Sequence, residues 1–325
     1  MTKLNTPVAT REAPASRVAA GPSPSAKRLK VLIRTRPWLL LAPALVILAV
    51  LLLWPLLRVV LFSLQDYGLR QIVSGKPNFI GFGNYAEVFG NATLWTTVLP
   101  NTVIFAAASV IGTVVLGTLV ALLMASLGNF WRTIVGSAIM VAWAMPAVTG
   151  TYVWVWIFDA DRGIVNQTLM GLGLMDEPYN WFTNQFSFYG IALINVIHHG
   201  FPFVAITVLA GLLGVSKEML EAAEMDGAGA FRRFFQITFP SLKQVFSVVI
   251  ILSIIWDFKV FAQVYLMPGG AGSNRDVLNL GVWSYVESFG QNRYGFGSAI
   301  AVLLTLLLLV VTIIYIRVLM KEEKL

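Results

Sequence analysis

The sequence predicts an all-α integral membrane protein with six transmembrane helices. Of its 325 residues, 57% are hydrophobic and 12% are charged, whereas soluble domains carry about 25% charged residues. The mean hydropathy is +0.76. Six apolar runs can each cross a hydrocarbon core of about 30 Å, which takes about 20 helical residues. These runs are residues 38–63, 97–125, 134–158, 188–213, 244–266 and 297–318.

The distribution of lysine and arginine predicts the orientation of these spans. Most of the 23 basic residues lie at the two ends of the chain and in the loops on the same side of the membrane as those ends. The three opposite loops hold only Arg70, Lys76, Arg162, Arg275 and Arg293. Because basic residues concentrate on the cytosolic side, both termini are predicted to be cytosolic. Membrane topology thus explains the net charge of +7 better than nucleic-acid binding does.

The two ends of the chain are predicted to be cytosolic tails. Residues 1–36 are basic and rich in Ala, Pro and Ser, which predicts a disordered segment. A cleaved signal peptide is the alternative, but its apolar region has only about 7–15 residues, and the run from Trp38 is longer. We therefore expect a first transmembrane helix and external loop at 37–96, a core domain at 97–319 and a short tail at 320–325.

No catalytic, cofactor or metal site is predicted on this chain. It has no cysteine, and its only histidines are the neighbours His198 and His199, so a multi-histidine metal site is disfavoured. The only Gly-Lys pair is Gly75-Lys76, and Arg70 stands where a phosphate-binding loop requires its first glycine. No nucleophile, base and orienting group occur at a credible spacing, so an enzyme is the least favoured class.

The segment 214–242 predicts a helical hairpin between two apolar spans. Ser216 is a candidate N-cap, while Asp226 and Gly227 interrupt the helical pattern. A second helix is expected to follow and to end before Pro240. With no catalytic set inside it, the hairpin is interpreted as a docking element that passes force to another protein. Arg232 and neighbouring phenylalanines would seat its second helix at the headgroup boundary. An ordinary cytosolic loop with amphipathic character is the alternative.

Polar residues within the fifth span form the first candidate substrate pathway. An ionised side chain at a span centre costs about 2.5–3.5 kcal/mol, so Asp257 and Lys259 need an explanation. Two residues apart, they cannot share a helix face. Together with Trp256, Phe261 and Gln263 they place aromatic faces beside hydrogen-bonding groups, a combination that can bind a polar cargo. A subunit interface with satisfied polar contacts is the alternative interpretation.

The fourth span carries a second cluster, the run His198, His199, Gly200, Phe201, Pro202 and Phe203. Pro202 lies among them and is expected to kink the helix, while glycine permits close approach, and both are common where a span lines a cavity. A proton relay through the histidines is a less favoured alternative.

The order of residues in the hairpin resembles the EAA loop of permease subunits of ATP-binding-cassette importers. That pattern is EAA, three residues, Gly, nine residues, Ile, one residue, Leu, Pro. Phe239 stands at the Leu position, and the matching residues are Glu221, Ala222, Ala223, Gly227, Ile237 and Pro240. Further similar blocks follow in order: NFIGFGNYAEVF, AMP before WVWIFDADRGIVNQTL, MPGGAGSNRDVL and YGFGSAIAVLL. The closest resemblance is to the MalF-like carbohydrate permeases.

This resemblance implies a type I ABC importer (MetI-like) permease fold in a bacterial cell membrane. It implies a complex with a homologous second permease, two ATP-binding-cassette ATPases and an external sugar-binding protein or lipoprotein. ATP and Mg²⁺ would be bound by the ATPases, with no cofactor on this chain. The EAA loop would dock into an ATPase groove, and the expected ATPase-coupling residues are Glu221, Ala222, Ala223, Asp226, Gly227 and Ala228.

The resemblance also implies a cargo. In that family the sugar-contacting positions fall on His199, Gly200 and Phe203, and on Trp256, Lys259 and Phe261. A di- or oligosaccharide is the expected cargo, with trehalose first because the blocks resemble trehalose-recycling permeases of actinobacteria. Two alternatives stay open, an ion-driven secondary carrier and an ABC permease for a non-sugar solute such as glycerol phosphate.

Overall fold

The computed structural model describes residues 40–322, with side chains through Arg317. The predicted tail at 1–36 and the last three residues lie outside this range. The chain divides into two units, residues 1–57 and 58–325. The described part of the first unit, residues 40–57, is an apolar helix with exposed side chains throughout.

The fold is helical almost throughout the described range. α1, α4 and α10 each include one π-helical turn. A further π-helical turn, Val286–Gly290, directly follows the helix Leu280–Tyr285, and a 3₁₀ turn lies at Arg275–Val277. In chain order the helices are α1 (Leu40–Ser63), α2 (Leu69–Ser74), α3 (Gly83–Gly90), α4 (Leu94–Ser126), α5 (Asn129–Trp143), α6 (Ala147–Ile157), α7 (Ile164–Gly171), α8 (Gln185–Leu212), α9 (Lys217–Met225), α10 (Ala230–Arg233, continuing through Phe234–Thr238 and Phe239–Ser241), α11 (Lys243–Phe258), α12 (Ala262–Tyr265), α13 (Leu280–Tyr285) and α14 (Tyr294–Glu322).

Five of the six predicted spans are long apolar helices: α1, α4, α8, α11 with α12, and α14. The predicted third span, 134–158, is instead divided into α5 and α6, which are bent by 92° relative to each other. Pro146 explains the division, because it has no N–H to donate and disfavours helical backbone in the residue before it. The bent pair counts as the sixth span only if both helices are taken together.

The predicted fifth span is also interrupted. α11 ends at Phe258, and the chain resumes a helix only at Ala262. Phe261 leaves the helical region, with φ −125° and ψ −58°. α8 continues through Pro202 as one helix of 28 residues, and the expected kink at this proline stays a prediction.

The three loops between these spans on one side are ordered, as expected; we call this side the loop face. Two short strands that the sequence did not predict lie there, β1 (Gln65–Asp66) and β2 (Asn78–Phe79). They pair antiparallel, with Gln65 opposite Phe79. The opposite side, which carries α9 and α10, is called the hairpin face.

Small residues bring α4 and α8 into close contact. A Cβ placed on Gly112 would lie 2.3 Å from the Ile197 side chain, and one on Gly117 would lie 2.5 Å from Val204. From the other helix, a Cβ on Gly200 would lie 2.9 Å from the Thr113 methyl group. Close packing through small residues is the usual way in which helices associate inside a membrane.

Two separate apolar clusters stabilise the second unit. The cluster at the loop face includes the buried Phe188, Met267 and Trp283. The cluster toward the hairpin face includes Met124 and Phe246, with partners from α4, α8 and α11. Together they fix the position of α8 relative to the segments that flank the break at 259–261.

Candidate functional site

A cavity of about 440 Å³ lies between the end of α5, the middle of α8 and the break that follows α11. It is lined by Trp143 at the end of α5, by one face of α8 and by the region around the break after α11. Ligand sites in proteins have volumes of about 300–1,000 Å³. The lining residues are Trp143, Val196, His199, Gly200, Trp256, Asp257, Lys259, Val260, Phe261, Ala262 and Gln263.

The structure brings the predicted pathway residues together. Seven of the eight line the cavity, and Phe203 supports it from behind. The Phe203 ring lies 5.0 Å from the Trp256 ring and 6.1 Å from the Trp143 ring, measured between centroids. Three aromatic side chains from three helices therefore pack together, and two of them face the cavity.

Interrupted helices explain how Asp257 and Lys259 reach the same cavity. Two residues apart in a regular helix they would point in different directions, but Lys259 lies beyond the end of α11. The Asp257 Oδ2 atom is buried and has no hydrogen-bond partner within the described part of the chain. Gln263 is almost fully buried, whereas Lys259 is exposed. The cavity thus combines a carboxylate, an ammonium group, an amide and an imidazole with aromatic faces.

The structure separates the two histidines. His199 lines the cavity, whereas His198 packs against Trp154 and Phe201, with ring centroids 5.9 and 6.2 Å away. The relay through the histidines stays a prediction. Among the lining residues that the sequence prediction missed, Trp143 could have been found, because it precedes the helix-breaking Pro146 by three residues.

The hairpin face carries the predicted docking element. The Ser216 hydroxyl caps α9 by accepting from the Met219 N–H at 3.3 Å. The same hydroxyl donates to a Glu218 carboxylate oxygen at 2.6 Å, which lowers the pKa of that exposed carboxyl group. The predicted N-cap and the acidic first turn are both present.

The turn between α9 and α10 interrupts the helical pattern at Gly227, as the sequence predicted. Gly227 has φ +77°, a left-handed conformation that glycine adopts at no steric cost. Its N–H donates to the carbonyl of Glu224, and the next N–H, of Ala228, donates to Ala223, both at 2.9 Å. These two bonds form a Schellman motif at the end of α9. Across the turn, Arg233 forms an ion pair with Glu224.

The predicted coupling residues share one accessible turn. Glu221, Ala222, Asp226 and Gly227 are exposed, and Ala223 and Ala228 are half-buried. The second helix differs from the prediction, because it continues through Pro240 to Ser241. A π-helical turn at Phe234–Thr238 precedes Pro240. This wider turn shifts the hydrogen-bond pattern at the point where the proline N–H is missing.

Comparisons with known proteins agree with this arrangement. Residues 113–322 match the family described as the binding-protein-dependent transport system inner membrane component. The diacetylchitobiose uptake system permease protein DasB of Streptomyces coelicolor is 38% identical over 289 residues, which cover 89% of this chain and 88% of that protein. The chain belongs to this family of transport permeases.

A second relative is the trehalose/maltose transport system permease protein MalF of Thermococcus litoralis. It is 30% identical over 284 residues, covering 86% of this chain and 92% of that protein. The fold matches a crystal structure of a bacterial ABC transporter that imports alginate, with a TM-score of 0.74 at 18% identity over 90% of this chain and 98% of that one. The predicted fold class is confirmed, as is the prediction of a membrane transport subunit rather than an enzyme.

Proposed function

We propose that this chain is a permease subunit of an ATP-driven sugar importer, and that the cavity beside α11 is its half of the translocation pathway. Its cargo is a disaccharide or a short oligosaccharide. The observation that carries this proposal is the convergence of Trp256, Asp257, Lys259 and His199 on one cavity at a broken span. The names of the relatives DasB and MalF, which refer to diacetylchitobiose and to trehalose and maltose, support the cargo class.

The chemistry of the cavity suits a sugar. Indole and phenyl faces pack against the apolar C–H faces of a pyranose ring. The carboxylate of Asp257 accepts hydrogen bonds from hydroxyl groups, and the Gln263 amide both donates and accepts. Because the Asp257 Oδ2 atom is buried without a partner inside the described chain, a sugar hydroxyl would satisfy it.

Coupling to ATP hydrolysis is assigned to the hairpin. In this proposal the turn around Glu221 and Gly227 docks into a groove of an ATPase subunit. Closure of two such ATPases then displaces the hairpin, and the spans attached to it change which side of the membrane the cavity faces. ATP and Mg²⁺ are bound by the ATPases, and this chain binds neither.

The remaining partners follow from the same proposal. A homologous second permease completes the pathway, and an external sugar-binding protein delivers cargo to the loop face. Both termini and the hairpin face are cytosolic, in agreement with the excess of basic residues there.

The complex is tested by purifying a tagged copy from its native membrane in mild detergent and identifying every chain that accompanies it in stoichiometric amount. A homologous permease and an ATPase with a phosphate-binding loop are expected. Recovery of the chain alone, still moving solute in vesicles, would overturn the proposal in favour of an ion-driven carrier.

The cargo is tested by competition for uptake in the reconstituted complex. Trehalose, maltose and diacetylchitobiose are compared as unlabelled competitors, with trehalose remaining our first prediction. A second candidate is an anionic solute such as glycerol phosphate, favoured by the exposed Lys259 ammonium group in the cavity wall. Competition by glycerol phosphate and by none of the disaccharides would select that candidate.

A further inference from the structure

The backbone carbonyl of Val260 lies at the break between α11 and α12. In an unbroken helix it would accept the N–H of Val264. Here that N–H donates instead to the Phe261 carbonyl at 3.1 Å, which also accepts from Tyr265 at 2.8 Å. Val260 is buried at 7% exposure. A buried carbonyl inside a membrane segment needs a donor from elsewhere in the protein.

Asn279, on the loop face, supplies that donor. Its Nδ2 donates to the Val260 carbonyl at 3.0 Å. Its Oδ1 accepts the N–H of Val282 at 2.8 Å and thereby caps α13. The side chain is buried at 4% exposure. Because one partner is a carbonyl and the other is an N–H, the nitrogen end of the amide must point to the break.

The segment that carries Asn279 is itself held by two spans. From α4, Asn101 donates to two carbonyls of residues 276–280 at 2.7 and 3.0 Å, and the Thr102 hydroxyl accepts an N–H of the same segment at 2.9 Å. From α8, the Tyr189 hydroxyl donates to a third carbonyl at 2.9 Å. Both sides of Asn279 are therefore anchored.

We propose that Asn279 is a positioning residue that keeps the fifth span broken beside the cavity. When its amide holds the Val260 carbonyl, Lys259 and Phe261 stay in the cavity wall. When the amide is withdrawn, the Val264 N–H reclaims that carbonyl, the helix closes, and the side chains after the break turn away. This inference rests on the proposed function only in treating the cavity as the transport pathway.

The consequence is a direct link from the loop face to the cavity. A ligand or protein that displaces residues 276–280 pulls Asn279 away from Val260 and changes the cavity wall. Aromatic contacts run along the same path, because Tyr285 of α13 packs against Phe261 and Tyr265, with ring centroids 5.1 and 5.0 Å away.

The absence of cysteine from the sequence allows a direct test. Ala262→Cys places a single thiol in the cavity wall. The tagged full-length chain, with the chains that accompany it, is placed in lipid nanodiscs so that both faces are accessible. The rate of labelling by a small hydrophilic maleimide is then measured without cargo or ATP.

Two substitutions of Asn279 remove the amide N–H that reaches Val260 and keep a cap for α13. Asn279→Asp retains a side-chain oxygen acceptor. Asn279→Ser also keeps an acceptor without adding charge, and its hydroxyl ends one bond short of the position from which the amide nitrogen donates. Each is expected to slow labelling of the thiol by about fivefold or more, because the Val260 carbonyl is then satisfied only by closing the helix. Asn274→Asp is the matched control, since its cap on Asp276 is kept and its amide reaches Thr183 only at 3.5 Å.

An unchanged or faster rate in both Asn279 variants would overturn the inference, as would equal slowing by Asn274→Asp. A second thiol, Met225→Cys, separates local from global effects, because that residue is 88% exposed on the hairpin. Its labelling rate should stay constant, and a parallel change there would also count against the inference. Since labelling needs no cargo, its outcome is independent of whether the sugar proposal holds.

Discussion

Two glycines in the hairpin provide a matched test of coupling. Gly227 and Gly229 both have open space around the Cα atom, with no atom within 4 Å of a Cβ placed there. They differ in backbone conformation, because Gly227 has φ +77° and Gly229 has φ −64°. A serine at each position therefore adds the same atoms in the same turn, strained at Gly227 and unstrained at Gly229.

The expected cost follows from that difference. A side chain in the left-handed region costs about 1–2 kcal/mol, which lowers the ratio of native to non-native turn by a factor of about 5–30. Gly229 is the N-cap of α10 with φ −64° and ψ 165°, where serine is a preferred residue. Gly227→Ser should thus disturb the turn, and Gly229→Ser should leave it intact.

The assay compares sugar uptake with ATP hydrolysis in the reconstituted complex. We expect Gly227→Ser to reduce uptake at least fivefold while ATPase activity persists, and Gly229→Ser to match the unmodified protein. Gly227→Asn should restore part of the uptake, because asparagine tolerates the left-handed conformation. Normal uptake in Gly227→Ser, or equal losses in both serine variants, would refute a role for this turn geometry in coupling.

Three further outcomes are expected. Trp256→Ala should raise the sugar concentration for half-maximal uptake about tenfold through loss of its aromatic face, and an unchanged value would remove it from the pathway. Glu224→Gln should lower uptake no more than about fivefold, since exposed ion pairs contribute about 0.2–1 kcal/mol; complete loss would point to a direct partner contact. Gly297→Ala should reduce the amount of folded protein, because its Cβ would lie 2.0 Å from the Ser288 hydroxyl, whereas Gly171→Ala, with no atom within 4 Å, should not.

Local sequence signals predicted the local structure well. Ser216 and Gly227 were placed correctly because capping and left-handed turns depend on residues within one helical turn. The apolar spans were found because hydropathy sets membrane insertion whatever the packing. Only the family resemblance predicted that residues from two distant spans line the same pathway.

The breaks in the spans show where sequence reasoning reached its limit. The bend after Trp143 had a local signal in Pro146, although hydropathy alone joined α5 and α6 into one span. The break after Phe258 had no such local signal, since residues 259–261 contain neither Gly nor Pro. Its stabilising donor is Asn279, about twenty positions further along the chain. Tertiary hydrogen bonds of this kind are invisible to periodicity.

The length of α8 connects the loop face with the hairpin face through a single helix. Its 28 residues extend about 42 Å at 1.5 Å per residue. One end adjoins the hairpin, and the other carries Tyr189, which is bonded to the loop-face segment. For a helix of this length that turns as one body, a tilt of about 5° shifts the far end by about 4 Å. That distance is longer than a hydrogen bond, so a small rotation at one membrane surface is enough to exchange polar partners at the other.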